Sequence, residues 1–108
     1  MMFGVYVRFT AQTGQRDALV AHLLRAAALV RDLDGCHLYV INTTPADADT
    51  VWVTEIWQRE ADQQASLALE SVREAIGEVM PLLAGPPDRI ELEPVGGVGL
   101  AFDSGGGD

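Results

Sequence analysis

Cysteine is almost absent from this chain: Cys36 stands alone among 108 residues. No internal disulfide can form, and a reduced thiol acting as small apolar filler is the expected role. Histidine occurs only at His22 and His37, far apart and with no cysteine or carboxylate cluster at ligand spacing, so a metal site is not expected. Basic residues are scarce, seven against sixteen acidic ones, for a net charge of −9. That balance argues against binding nucleic acid through its phosphates. Apolar runs are short, which excludes a membrane-spanning helix. The opening Met1-Met2-Phe3-Gly4-Val5 has no basic region before it alternates, so it does not read as a secretory signal. The expectation is a cytoplasmic protein without metal or cofactor. Gly96-Gly97-Val98-Gly99 has the glycines of a phosphate loop but no helix behind it, and Ser66 and Ser71 lack a nucleophile-elbow setting.

What is present is ordinary globular material, 48% hydrophobic and 21% charged, in a length suited to one domain. Phe3, Val5, Val7 and Phe9 alternate with Gly4, Tyr6, Arg8 and Thr10, predicting a first strand with an apolar face. Thr13 is placed to cap a helix in which Leu19, Leu23, Ala26, Ala27 and Val30 recur at helical spacing, and Gly35 follows as its stop. A second strand is predicted over 37–43, with His37, Tyr39 and Ile41 sharing a face. A loop over 44–49 then leads to a third strand, Val51 to Gln58. From Glu60 the period is helical again, with Ala61, Ala65, Leu67 and Leu69 as the apolar side of a short piece. Ser71-Val72-Arg73-Glu74 has the form of a capping box ahead of Val72, Ala75, Ile76, Val79, Met80 and Leu83. Gly85-Pro86-Pro87 ends this run, and Ile90 and Leu92 mark a fourth strand. The division expected is a domain over 1–95 and a glycine-rich tail over 96–108, its end from Ser104 to Asp108 poorly ordered.

Strand, helix, strand, strand, helix, strand is the order of an α+β, ferredoxin-like βαββαβ sandwich with an antiparallel sheet. Both helices then cover one face of the sheet. Tyr6, Trp52 and Ile56 are left on the other, which predicts a homodimer packed sheet on sheet.

The third strand concentrates the chemistry. Both tryptophans lie in it on opposite faces, and Val53, Glu55 and Trp57 share a side. A carboxylate on an otherwise apolar face must be paired, protonated or held in a cavity. One reading makes Glu55 a structural acceptor for the backbone or for Arg8; the other makes it a functional acid. Trp57 is either core or the wall of a pocket for a flat ligand. Tyr39 and Asn42 on the neighbouring strand, and His37 at its start, are secondary candidates.

Glu55-x-Trp57, preceded by Gly35-Cys36-x-x-Tyr39 and followed by Glu60-Ala61, Ala65-Ser66-Leu67, Val72-Arg73 and Pro81-Leu82-Leu83-Ala84-Gly85, resembles the antibiotic biosynthesis monooxygenase family over residues 3 to 95. The resemblance implies a homodimeric α+β barrel made from two sheets, with a ligand pocket between each sheet and its helices. It further implies oxidation of phenols or quinols by molecular oxygen without metal, flavin or haem, although relatives that degrade haem or act on small signalling compounds keep the substrate open. Trp57 matches the family's pocket tryptophan. Val53 stands where some quinone-forming members have asparagine, and Ser66 where many have histidine. With no histidine between Gln58 and Asp108, the haem-degrading branch is disfavoured.

On the resemblance, Trp57, Val53, Tyr39 and Ser66 are the expected binding residues for a small apolar aromatic ligand. Glu55 is the candidate base by elimination, with His37 second. The alternative is a dimer of the same fold that binds a small molecule without turnover, for which the missing asparagine and histidine would be the mark.

Overall fold

The computed structural model describes residues 1–99; the final part of the expected tail, 100–108, lies outside the described residues. Four strands and three α-helices follow one another as β1 (Phe3–Thr10), α1 (Arg16–Val30), β2 (Cys36–Thr44), β3 (Asp47–Trp57), α2 (Glu60–Leu67), α3 (Glu70–Val79) and β4 (Asp88–Leu92), with a single 3₁₀ turn over Met80–Leu82. The sheet order is β2-β3-β1-β4 and every neighbouring pair is antiparallel. This is the ferredoxin-like α+β arrangement that the order of elements predicts.

β1 and β3 are central because their alternation is cleanest. Val5 and Val7 face inward beside Val51, Val53 and Trp57, all buried, in the register Val5↔Glu55 and Val7↔Val53. From α1, Leu19, Leu23, Ala26 and Val30 meet this face, and from α3, Val72, Ala75 and Val79 do so. The other face has no helix over it. Tyr6, Val40, Ile90 and Leu92 are exposed there, and Trp52 packs at 5.6 Å from the Tyr6 ring and 5.8 Å from the Arg8 guanidinium.

Several local expectations need correction. Thr13 does not cap α1: a turn closed by Gln15 N–H donating to Gln12 C=O (2.9 Å), with Gly14 at φ +81°, delays the helix to Arg16. The loop over 44–49 is shorter than composition suggests. β2 and β3 continue to a two-residue Pro45-Ala46 turn, with Thr44 paired to Asp47. The Ser71 capping box does not form either. Ala68 and Leu69 N–H groups close the end of α2, and Leu69 C=O accepts from Arg73 N–H at 2.9 Å, so α3 has already begun when Ser71 is reached. On α2 the buried residues are Gln63 and Ser66, not Ala61, Ala65, Leu67 or Leu69.

Gly35 is the tightest joint in the fold. Its φ of +84° lies in the left-handed region that favours glycine, and a Cβ there would come within 2.8 Å of Asp62 Cβ. Its carbonyl accepts from Gln58 N–H at 2.7 Å. The end of the α1–β2 connection is thereby held against both the end of β3 and the start of α2.

Candidate active site

β3 ends at Trp57, just before Gly35's partner Gln58, and the geometry of Trp57 and Glu55 defines the site. Strand alternation places both on the helix-covered face. Trp57 is completely buried and Glu55 is 8% exposed. The indole Nε1–H of Trp57 donates to Glu55 Oε1 at 3.0 Å, and among the described residues no donor reaches Oε2. Arg8 is not the partner of Glu55. Its guanidinium lies on the opposite face and pairs with Asp88, Nε donating at 3.1 Å. The surroundings push the Glu55 carboxyl above its ordinary value: burial is the largest cause, opposed by the indole hydrogen bond and by the positive charge of Arg89.

The cross-strand neighbours complete the site. Tyr39 lies opposite Glu55 and Cys36 opposite Trp57. Directly opposed residues of an antiparallel pair project to the same face, so Glu55, Trp57, Tyr39 and Cys36 share one patch with Val53. Burial raises the Tyr39 phenol well above the usual range, and the nearby Glu55 charge adds to it. The Cys36 thiol is raised by the same two causes in the same order, against a lowering backbone hydrogen bond from Leu38.

His37 does not share the face of Tyr39, because a bulge separates the pairs Cys36↔Trp57 and Leu38↔Ile56 and leaves His37 as the additional residue. Its ring turns outward, with Nε2 2.8 Å from Gln58 Oε1. Cys36 takes the inward place that alternation gave to His37. Asn42 also belongs to the uncovered face, where Nδ2–H groups donate to Trp52 C=O at 3.1 Å and Thr54 Oγ1 at 3.2 Å. Ser66 is buried in α2, its hydroxyl donating to Gln63 C=O at 2.6 Å.

Trp57 is closed off by packing and Glu55 nearly so, and open space begins at their neighbours. A recess of about 300 Å³ between α1 and β2 is lined by Leu24, Ala27, Ala28 and Arg31 on the helix and by Cys36 through Tyr39 on the strand. A second, of about 250 Å³, lies beside Ser66, Leu33, Asp34 and Asp62. Sequence reasoning expected Cys36 as apolar filler but not its place on β2 opposite Trp57, and it missed Gln63 as an inward residue. The only signal for Cys36 was the pattern Gly35-Cys36-x-x-Tyr39, in which inward positions three apart require one extra residue. Among the described residues no three histidine, cysteine or acidic side chains gather as a metal-holding group, and no helix is long and apolar enough to cross a membrane.

Comparison with known proteins places this geometry. No curated protein sequence matches the chain significantly. Among solved structures, a candidate antibiotic biosynthesis monooxygenase from Chloroflexus aurantiacus J-10-fl is 40% identical, with a TM-score of 0.84 over 94% of this chain and 100% of that one. Rv0793 from Mycobacterium tuberculosis shares the fold at 20% identity, with a TM-score of 0.82 over 92% of this chain and 100% of that one. A candidate family protein from Nitrosomonas europaea does so at 14% identity, with a TM-score of 0.83 over 87% and 90%. The family model for antibiotic biosynthesis monooxygenase matches residues 2–78, a span that holds β1 through most of α3 and the whole Glu55–Trp57 patch. The chain therefore belongs to the antibiotic biosynthesis monooxygenase family.

Proposed function

We propose that the protein is a cofactor-independent monooxygenase acting on a small phenol- or quinol-type substrate as a homodimer. The observation that carries this reading is the buried Glu55–Trp57 pair, a carboxylate bonded through one oxygen to an indole in an otherwise apolar interior. A carboxyl raised by burial is a stronger base once ionised, and a base whose affinity for protons approaches the working pH is the more effective catalyst. Glu55 Oε2 takes the proton of the substrate, and Trp57 stacks on its ring. The resulting anion is electron-rich enough to reduce molecular oxygen directly. For an anthrone-type methylene the balance is R₂CH₂ + O₂ → R₂C=O + H₂O: one oxygen atom enters the product and the other leaves as water. Exclusion of bulk water by Val53, Trp57 and the helices keeps the anion from being reprotonated before the electron leaves.

A dimer follows from the uncovered sheet face. Tyr6, Val40, Ile90 and Leu92 are exposed beside the half-buried Trp52 and Ile56, an apolar surface of the kind that partners cover. A second copy packed on it by a two-fold axis would bury more than about 1,000 Å², the size of a stable biological contact. Light scattering at micromolar concentration checks this; the 11.6 kDa mass of a single chain would refute it.

Binding without turnover is favoured by a different observation: Val53 contributes no polar atom, and the Ser66 hydroxyl is already engaged with the Gln63 carbonyl. The two readings separate in one experiment. Purified protein freed of metal, as verified by elemental analysis, is given a panel of anthrones and hydroquinones, and oxygen consumption is followed. Uptake above the uncatalysed rate, reduced in Glu55→Gln, supports the oxygenase; binding without uptake supports the alternative.

A further inference from the structure

The pair proposed to react, Glu55 and Trp57, is buried, so a substrate needs a way in. We propose that the recess between α1 and β2 is the entrance and holding site for that substrate, and that it takes a neutral, flat phenol of one or two fused rings, hydroxyl end inward. The inference rests on the reading of Glu55 and Trp57 as the reacting site and deepens it.

Register carries the argument. Cys36 and Tyr39 line the recess, and these same two residues are the direct cross-strand partners of Trp57 and Glu55. Both pack against the buried core without being sealed in it. The inner wall of the recess is therefore one strand spacing, about 4.5–5.5 Å, from the reacting pair. The recess beside Met1 and Glu91 touches Phe3, the partner of Trp57 on β1, but no partner of Glu55; among the described recesses, the one between α1 and β2 is lined by a partner of each.

Size and lining define the ligand. A volume of about 300 Å³ stands at the lower end of the roughly 300–1,000 Å³ typical of small-molecule sites. The helix wall is Leu24, Ala27 and Ala28, flat and apolar where two of these side chains are single methyl groups, with the exposed Arg31 beside them. On the strand side the Tyr39 phenol is held in its protonated form by burial. A ligand hydroxyl directed there meets a hydrogen-bond donor, with the Glu55 carboxylate behind it. β2 is an edge strand, so among the described residues no further strand lies outside it to close the recess.

Cys36 is the only cysteine, so thiol alkylation reports on this recess alone. With N-ethylmaleimide at alkaline pH and 1-naphthol as the probe, alkylation of Cys36 should slow about tenfold when the naphthol is near ten times its Kd, following the factor 1 + [L]/Kd. Ala28→Trp, a change at an exposed helix position, should fill the recess and abolish protection by 1-naphthol. Protein already alkylated at Cys36 should lose oxygen uptake on whichever anthrone or hydroquinone the parent consumes.

Failure of 1-naphthol to protect Cys36 in the parent overturns the proposal, as does protection that persists in Ala28→Trp. Undiminished uptake by alkylated protein overturns the entrance while leaving the oxygenase intact. Protection with no uptake on any panel member upholds the recess as a ligand site and instead overturns the oxygenase.

Discussion

The two tryptophans of β3 are five residues apart and live in opposite surroundings. Trp57 is buried under the helices with its N–H on the Glu55 carboxylate. Trp52 lies half-buried on the uncovered face, flanked by the Tyr6 ring and the Arg8 guanidinium. One strand thus presents an indole to a dry interior and another to a surface. The interior one has a fixed polar partner and no exposed surface, and the carboxylate beside it is largely desolvated, the condition under which such a group becomes chemically useful. The surface one has a cation and an aromatic edge, which suits adhesion to another molecule. Composition does not separate the two; the parity of the position along the strand does.

The comparison breaks most visibly at Trp57. Trp57→Ala should lose about 3–5 kcal/mol of folding stability in urea titration, as expected for deleting a fully buried large side chain. It should also abolish any oxygen uptake. Trp52→Ala should cost far less in stability and act on the assembled mass instead. Equal losses would mean that the two faces are equally dry.

Gly35→Ala tests the joint behind Trp57. A side chain at φ +84° next to Asp62 should cost about 2 kcal/mol or more, from left-handed strain plus the contact. The readout is the denaturant midpoint, and a neutral effect would show that α2 docks without this close approach.

Glu55→Gln tests the carboxylate through pH. Burial raises the Glu55 carboxyl above its ordinary value of 4.5, so the folded protein holds this proton more tightly than the unfolded chain. The stabilising contribution is complete below about pH 4.5 and is lost as pH rises through the elevated folded value. Glutamine keeps an acceptor for the indole and never ionises. Its melting temperature should exceed the parent's at pH 7, and the two should converge near pH 4. A gap that widened on acidification would reverse the assignment.

The smallest effect is expected on the uncovered face. Arg8→Ala removes an exposed ion pair with Asp88 and a cation over Trp52, together worth under about 1 kcal/mol when solvent reaches them. A larger loss, measured above the dimerisation range, would show that a second sheet has taken the water away.

Much of this arrangement could be read from residue order. The alternation of Phe3 to Thr10 and of Val51 to Trp57 fixes two strands and both their faces, because period two leaves no freedom once one side is apolar. Leu19, Leu23, Ala26 and Val30 likewise identify the inner side of α1. The bulge at His37 was not legible, since an inserted residue has no compositional mark when both neighbours are themselves strand-compatible. It exchanges the positions of His37 and Cys36 and so changes which of them stands beside Trp57. The inner side of α2 was hidden for another reason. With eight residues and fixed joints at both ends, its rotation is set by Gly35 against Asp62 and not by its own apolar residues, so Gln63 and Ser66 turn inward. Glu55 was recognisable as an anomaly, but its partner was not: an indole two positions along the same strand supplies the hydrogen bond that one reading gave to the backbone or to Arg8.

The strand order has a bearing on how the chain reaches this state. β2 and β3 are joined by two residues and can zip up locally, whereas Arg8 and Asp88, partners across β1 and β4, are separated by 80 positions. Closing so long a loop before any contact rewards it is the slow event in a small domain. The hairpin that contains Glu55 and Trp57 should therefore gain protection early in pulse-labelled hydrogen exchange, and β4 last; simultaneous protection would contradict this order. While β4 is still absent, the outer edge of β1 is open to any passing strand. When it arrives, the edge it presents alternates Asp88, Arg89, Glu91 and Glu93 with its two apolar residues, and charge of that density repels strand addition by other chains.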